Sequence, residues 1–283
     1  MPTQALITRR RKNVFEIFYG FTATPFTKTI TPASLFLSEQ HQELLARLQY
    51  LSRNRGFGLI TGEVGAGKST AIRAFASGLD PSRHQLLYIS QSDLSSRHLY
   101  RELCLQLGLK PAFHAADTRR QLTQAVWDAY KNHDKQPTIV IDEAHLLSSA
   151  MLEEVRFLTN FHLDSASPMT LILVGQTELR QRFRLQTLEA ITQRINLRYH
   201  LTGLSDLETK AYIIHHLKVA GVNHPIFSDE AIRVTYQFSK GIPRRINNLA
   251  TACLLAGFME QKSIIDEMTV KKALAEFQDD QVA

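Results

Sequence analysis

Short apolar runs bounded by polar and turn residues recur through the first two-thirds of the chain. Gly56–Thr61, Leu86–Ser90, Thr138–Asp142, Thr170–Val174 and Leu197–Leu201 each read as a buried strand. These runs are rich in Leu, Ile and Val and shorter than a typical helix. Between them, apolar residues return every three to four positions, the signature of a helix with one buried face. That spacing predicts helices over Leu37–Leu51, Ser69–Ser77, Leu99–Leu107, Arg119–Tyr130 and Met151–Phe161. Ser38 is placed to cap the first of them, with Gln42 near the capping-box position. Strand–helix alternation implies an α/β fold with a parallel sheet between helical layers. From Leu204 the pattern changes, and helices are predicted over Asp206–Ala220, Ser228–Ser239, Pro243–Met259 and Asp266–Phe277. The expected organisation is an arm with an aromatic segment over 1–34, an α/β domain over 35–203 and a small all-helical domain over 204–283.

Composition narrows the class. An apolar fraction of 44% and a charged fraction of 21% are ordinary for a soluble globular protein. No apolar run reaches the roughly 18 residues of a membrane span, and no apolar stretch follows Arg9–Lys12 as a secretory leader requires. A cytoplasmic location, with no membrane contact, is expected. Cys104 and Cys253 are far apart and sit in helical apolar patterns, so they read as core residues. The net charge is +6, and residues 1–56 carry +5 of it. A basic arm on a nearly neutral body favours contact with a polyanion.

One segment carries specific chemistry. Gly62-Glu63-Val64-Gly65-Ala66-Gly67-Lys68-Ser69 matches the phosphate-loop pattern, with Thr70 next in line. Glycines let successive backbone N–H groups converge on phosphate oxygens, the Lys ammonium reaches the β- and γ-phosphates, and the Ser hydroxyl ligates Mg²⁺. A predicted strand before the loop and a predicted helix after it supply the required context. The chain is therefore expected to bind a nucleoside triphosphate.

Four further places belong to the same chemistry. Asp142 ends a predicted strand and can hold Mg²⁺, while Glu143 can polarise the attacking water. Gln176 ends the next strand, where a polar side chain can reach the water or the γ-phosphate. Arg194 and Arg198 flank the last strand, and either can cross to the triphosphate of a neighbouring subunit. Arg194 is the stronger choice, because it precedes the strand. Arg244 and Arg245 open a helix where the dipole disfavours a cation. One of them can contact the nucleotide of its own subunit.

These pieces, in this order, resemble the AAA+ ATPases. By that resemblance the fold is a parallel-sheet P-loop domain with a small helical lid. Lys68 and Ser69 are Walker A residues, and Asp142 and Glu143 are Walker B. Gln176 is sensor 1, Arg194 the arginine finger and Arg244 sensor 2, with ATP and Mg²⁺ as cofactors. A closer similarity, to the ExeA-type ATPases, covers nearly the whole chain from Phe18. It rests on Phe18-Tyr19-Gly20-Phe21, Asp142-Glu143-Ala144-His145-Leu146, Leu173-Val174-Gly175-Gln176 and Gly241-Ile242-Pro243-Arg244-Arg245-Ile246-Asn247-Asn248-Leu249.

That branch holds general-secretion ATPases, which continue into a membrane segment and a peptidoglycan-binding domain. It also holds short forms resembling the transposition helpers of the IstB, MuB and TnsC kind. The basic arm, and the end of the chain after the lid, favour the second. The expectation is an ATPase that assembles as a ring or filament on duplex DNA and recruits a transposase. Arg97, Arg119 and Arg120 are then the expected DNA contacts, with the segment Gln91–His98 lining the bore. Phe26 and Pro25 are available to pack on adenine. The histidines show no metal-ligand spacing, and no nuclease cluster is evident.

Overall fold

The computed structural model describes residues 14–27, 30–90, 95–132, 135–158 and 167–279, apart from the side chains of Phe157, Gln278 and Asp279. The arm residues Arg9–Lys12 and half of the expected bore segment, residues 91–94, lie outside that set. The chain divides into two compact units, Leu37–Thr202 and the remainder. Residues before Leu37, including helix α1 (Val14–Phe18), therefore group with the C-terminal helices.

The Leu37–Thr202 unit is built on β1 (Phe57–Gly62), β2 (His84–Ile89), β3 (Gln136–Ile141), β4 (Thr170–Gly175) and β5 (Leu197–Leu201). They form one sheet in the order β2-β3-β4-β1-β5, with every pairing parallel. All six positions of β1 and of β4 are buried. Side chains alternate across the sheet, so each apolar run feeds two cores. Leu59, Ile139, Ile141, Leu171 and Leu173 enter one core, with Leu99, Leu122 and Leu152. Ile60, Val140, Ile172 and Val174 enter the other, with Leu44, Leu48, Ile72 and Phe75.

The helices of this unit are α2 (Glu39–Arg53), α3 (Lys68–Gly78), α4 (Ser96–Gln106), α5 (Ala115–Lys131), α6 (Ser149–Leu158), α7 (Thr177–Arg182) and α8 (Glu189–Thr192). Ser38 caps α2 by accepting from the His41 N–H, while Gln42 bonds the Leu37 carbonyl instead of closing a capping box. Helix α4 starts three residues before the predicted Leu99, because Ser95 caps a polar first turn that carries no apolar mark. The six-residue α7 and four-residue α8 were not predicted; neither is long enough to display helical periodicity.

The other unit contains α9 (Asp206–Val219), α10 (Asp229–Ser239), α11 (Pro243–Met259) and α12 (Glu267–Asp279). A full capping box, Ser205 with Glu208, starts α9. The Gly-Ile-Pro turn before α11 has a packing cause. Gly241 sits at φ 72°, and a Cβ there would lie 1.9 Å from the Leu204 carbonyl oxygen. Pro243 then presets the first helical turn.

The aromatic segment belongs to this helical core. Phe21 is fully buried, and the Tyr19 hydroxyl donates to the Leu254 and Lys262 carbonyls at 3.2 and 3.1 Å. Phe26 and Pro25 are buried in this core as well. One face of the Phe26 ring is stacked on His216 at 5.4 Å, and Phe227 packs against it edge-on. Both cysteines are buried free thiols, as core residues should be. No described helix is long and apolar enough to cross a membrane.

His216 offers a test of this core. Burial, and secondarily the neighbouring His215, pull its pKa from 6.5 down to about 4. As pH falls through 6.5 the unfolded chain gains this proton and the folded one does not. The helical unit should therefore lose stability between pH 6.5 and about 4, by roughly 3 kcal/mol from this group. Denaturation midpoints across that range, compared with those of His216→Leu, should show a shallower slope in the variant.

Candidate nucleotide site

The phosphate loop leaves β1 at Gly62 and enters α3 at Lys68. Gly65 and Gly67 take left-handed backbone angles, φ 84° and 103°, which keep successive N–H groups on one side of the turn. Gly67 is also a close approach. A Cβ there would lie 2.6 Å from His41 Nε2, on a buried ring whose Nδ1 pairs with the Ser38 hydroxyl at 2.7 Å. Helix α2 thus closes over the loop through His41. The buried Lys68 ammonium donates to the Gly62 and Glu63 carbonyls, each at 2.9 Å. It lies within the loop that would receive the phosphates, and it can exchange those carbonyls for phosphate oxygens.

Asp142 follows β3 directly and is buried. Its Oδ2 accepts from the Ser69 hydroxyl at 3.2 Å and from the Tyr88 hydroxyl at 2.6 Å. Its Oδ1 accepts from the Glu143 N–H at 2.8 Å. Burial, and then the bond to Asp142, raise the Tyr88 pKa well above that of a free phenol, so Tyr88 stays a donor. Ser69 and Asp142 supply two hard oxygen atoms side by side. That suits Mg²⁺, which takes one or two protein oxygens and fills its shell with phosphate and water. Among the described residues no group of three or more His, Cys, Asp or Glu forms a metal cage, as such a site requires none.

Glu143 occupies the left-handed region at φ 51°. For a residue with a Cβ this costs about 1–3 kcal/mol and persists where the surroundings impose it. Gln176 stands at the N-cap position of α7, directly after β4, with its side chain making no capping bond. Strand β4 lies between β3 and β1, so the loop, the Asp142–Glu143 pair and Gln176 leave three adjacent strands at one edge. This is the carboxyl edge, where open parallel sheets bind ligands.

The arginines fall into different situations. Arg194 is half-buried and donates to the Arg156 carbonyl at 3.4 Å. Arg198 is exposed on β5 and donates to the Thr192 carbonyl at 2.6 Å. It lines a cavity of about 270 Å³ with Arg180, Arg184, Thr61 and His200. Arg244 and Arg245 are exposed in the first turn of α11, in the helical unit. Of the expected DNA contacts, Arg119 is half-buried. It pairs with Glu154 at 3.3 Å and lies over the buried Tyr100 ring. Arg97 and Arg120 are exposed, with peripheral bonds to the Phe113 carbonyl and to Asp117. Nothing local in the sequence marks the approach of His41 to Gly67 or of Tyr88 to Asp142, since both join residues distant in the chain.

Lys68→Ala should weaken ATP binding by about 100-fold or more, the loss of two charge-assisted hydrogen bonds. Titration with a fluorescent ATP analogue measures this, and the thermal midpoint checks that the fold survives.

Residues 51–183 match the family model described as an AAA domain. The chain is 36% identical over 249 residues to general secretion pathway protein A of Aeromonas hydrophila, covering 85% of this chain and 44% of that protein. It thus spans less than half the length of that relative. Among solved structures, Cdc6p from Pyrobaculum aerophilum aligns with a TM-score of 0.67 at 16% identity, over 89% of this chain and 70% of that one. Drosophila ORC bound to DNA gives 0.69 at 14% identity, over 98% and 70%. The Thermotoga maritima RuvB branch migration motor gives 0.54 at 18% identity, over 85% and 70%. Identities this low speak to the fold alone. Strand order, loop geometry and the match over residues 51–183 agree: this chain carries an AAA domain with a P-loop fold, and along most of its length it is similar to general secretion pathway protein A.

Proposed function

We propose that the chain is the ATP-hydrolysing part of an ExeA-type assembly, driving a general-secretion process through ATP-dependent self-association. The observation that carries this reading is the 36% identity to general secretion pathway protein A across 85% of the chain, which includes both units. In this reading Gly62–Thr70 cradle the triphosphate, and Ser69 and Asp142 hold Mg²⁺, which neutralises phosphate charge. Tyr88 fixes the Asp142 carboxylate. Glu143 polarises the attacking water, and Gln176 orients it against the γ-phosphate. Arg194 reaches the triphosphate of the neighbouring copy. The role of Arg244 rests on its family motif, Gly241–Leu249.

A second reading keeps the same chemistry and changes the partner. It is a transposition helper that assembles on duplex DNA and recruits a transposase. The +5 balance of residues 1–56 and the exposed Arg97 and Arg120 favour it. Contacts of this kind are to phosphate, and carry little sequence preference.

Sedimentation with saturating Mg-ATP, with and without duplex DNA, separates the two. Mg-ATP-dependent particles that form without DNA and are unchanged by it support the secretion reading. DNA-dependent particles that dissolve between about 50 and 200 mM salt support the transposition reading. A chain that stays monomeric in every condition contradicts both. Glu143→Gln should retain ATP binding and lose hydrolysis by about 100-fold or more, and the same assay should find it locked in the assembled form. Arg194→Ala should lose hydrolysis while the monomer still binds nucleotide.

A further inference from the structure

Three observations meet at His145. First, Glu143 Oε2 and His145 Nδ1 face each other at 3.3 Å, and both atoms are buried. Neither makes a hydrogen bond that satisfies angular criteria, although the separation is that of an ion pair or a slightly misaligned bond. Two polar atoms shielded from water are thus held against one another, with no other hydrogen-bond partner among the described residues. Second, the Glu143 side chain as a whole is 46% exposed. Because Oε2 is the buried oxygen, that exposure belongs to the rest of the side chain, and the other oxygen remains available to water. Third, the backbone that carries the imidazole is held by the helix that begins after Gln176. Arg182 of α7 donates to the His145 carbonyl at 2.9 Å, to the Leu147 carbonyl at 2.6 Å and to the Ser149 hydroxyl at 3.5 Å. The His145 N–H group approaches β4 so closely that a Cβ on Gly175 would lie 3.1 Å from its nitrogen.

We propose that His145 is a positioning residue for ATP hydrolysis: its imidazole holds one carboxylate oxygen of Glu143 and aims the other at the attacking water. The left-handed backbone of Glu143 brings the carboxylate back toward the ring, and Arg182 fixes the ring's own backbone against α7. A shift of Gln176 with the state of the γ-phosphate is then transmitted through α7 and Arg182 to the orientation of the water-polarising group. The inference rests on the reading of Glu143 as that group, and it adds a residue to which that reading assigns no part.

The test uses the full chain and four variants: His145→Ala, His145→Gln, Glu143→Gln and the Glu143→Gln/His145→Ala double. Steady-state hydrolysis, ATP-analogue affinity and thermal midpoint are read for each. His145→Ala should lower kcat by about tenfold or more with affinity unchanged within about twofold. His145→Gln, which can still present an N–H, should recover at least part of the rate. The double variant should be no slower than Glu143→Gln alone, because the imidazole acts only through the carboxylate. If Glu143→Gln hydrolyses ATP normally, the reading of Glu143 itself fails. If Glu143→Gln is inactive and His145→Ala runs at the full rate, the positioning role alone is overturned. A loss in His145→Ala that comes with weaker ATP binding or a lower midpoint, and is not relieved in His145→Gln, also overturns it by making the residue merely structural.

Discussion

A parallel sheet buried on both faces is the constraint from which the rest follows. The middles of such strands are taken up by apolar side chains. Charged and hydroxyl groups are pushed to the strand ends, and parallel pairing puts every carboxyl end on one edge. In this chain β1, β4 and β3 are neighbours, and their ends release Gly62, Gln176 and Asp142–Glu143 together. The phosphate loop would be a flexible glycine turn without that edge. With it, Ser69 meets the Asp142 carboxylate, and the Lys68 ammonium is drawn into the loop's own carbonyls. The site therefore depends on the packing of Ile60, Val140, Ile172 and Val174 beneath it as much as on its polar atoms.

Much of this was legible in the chain, because the signals are local. Apolar runs mark the strands, and β5 falls on the predicted Leu197–Leu201. The loop motif is eight consecutive residues whose chemistry each position explains. Contacts between distant residues were not legible. Tyr88 reads as one more aromatic residue in a strand, and its hydroxyl gains meaning when β2 pairs with β3 and brings it to Asp142. Arg182 sits on a helix too short to show periodicity. Tyr19 reaches carbonyls more than 200 positions away, so no window of sequence reveals that the aromatic segment completes the helical core. The ion pair of Arg119 with Glu154 joins two helices, so it leaves no local mark either.

The two partner readings share one engine. They differ in what an ATP-loaded assembly grips, and the basic character of residues 1–56 bears on that question alone. The engine itself is defined by a buried aspartate with three donors and a glutamate held in a strained backbone state beside an imidazole. Helix α7, which begins after Gln176 and reaches the His145 and Leu147 carbonyls through Arg182, ties the ends of β4 and β3 together.

The central claim is that the carboxyl edge of β1, β4 and β3 is where ATP is bound and hydrolysed. The most direct measurement is a structure of the chain with Mg²⁺ and a non-hydrolysable ATP analogue. The account predicts the triphosphate seated on Gly62–Ser69, Lys68 Nζ transferred to phosphate oxygen, and a water between the γ-phosphate and Glu143. A triphosphate bound away from that edge, or seated there with Glu143 unable to reach any water in line with the γ-phosphate, would contradict it.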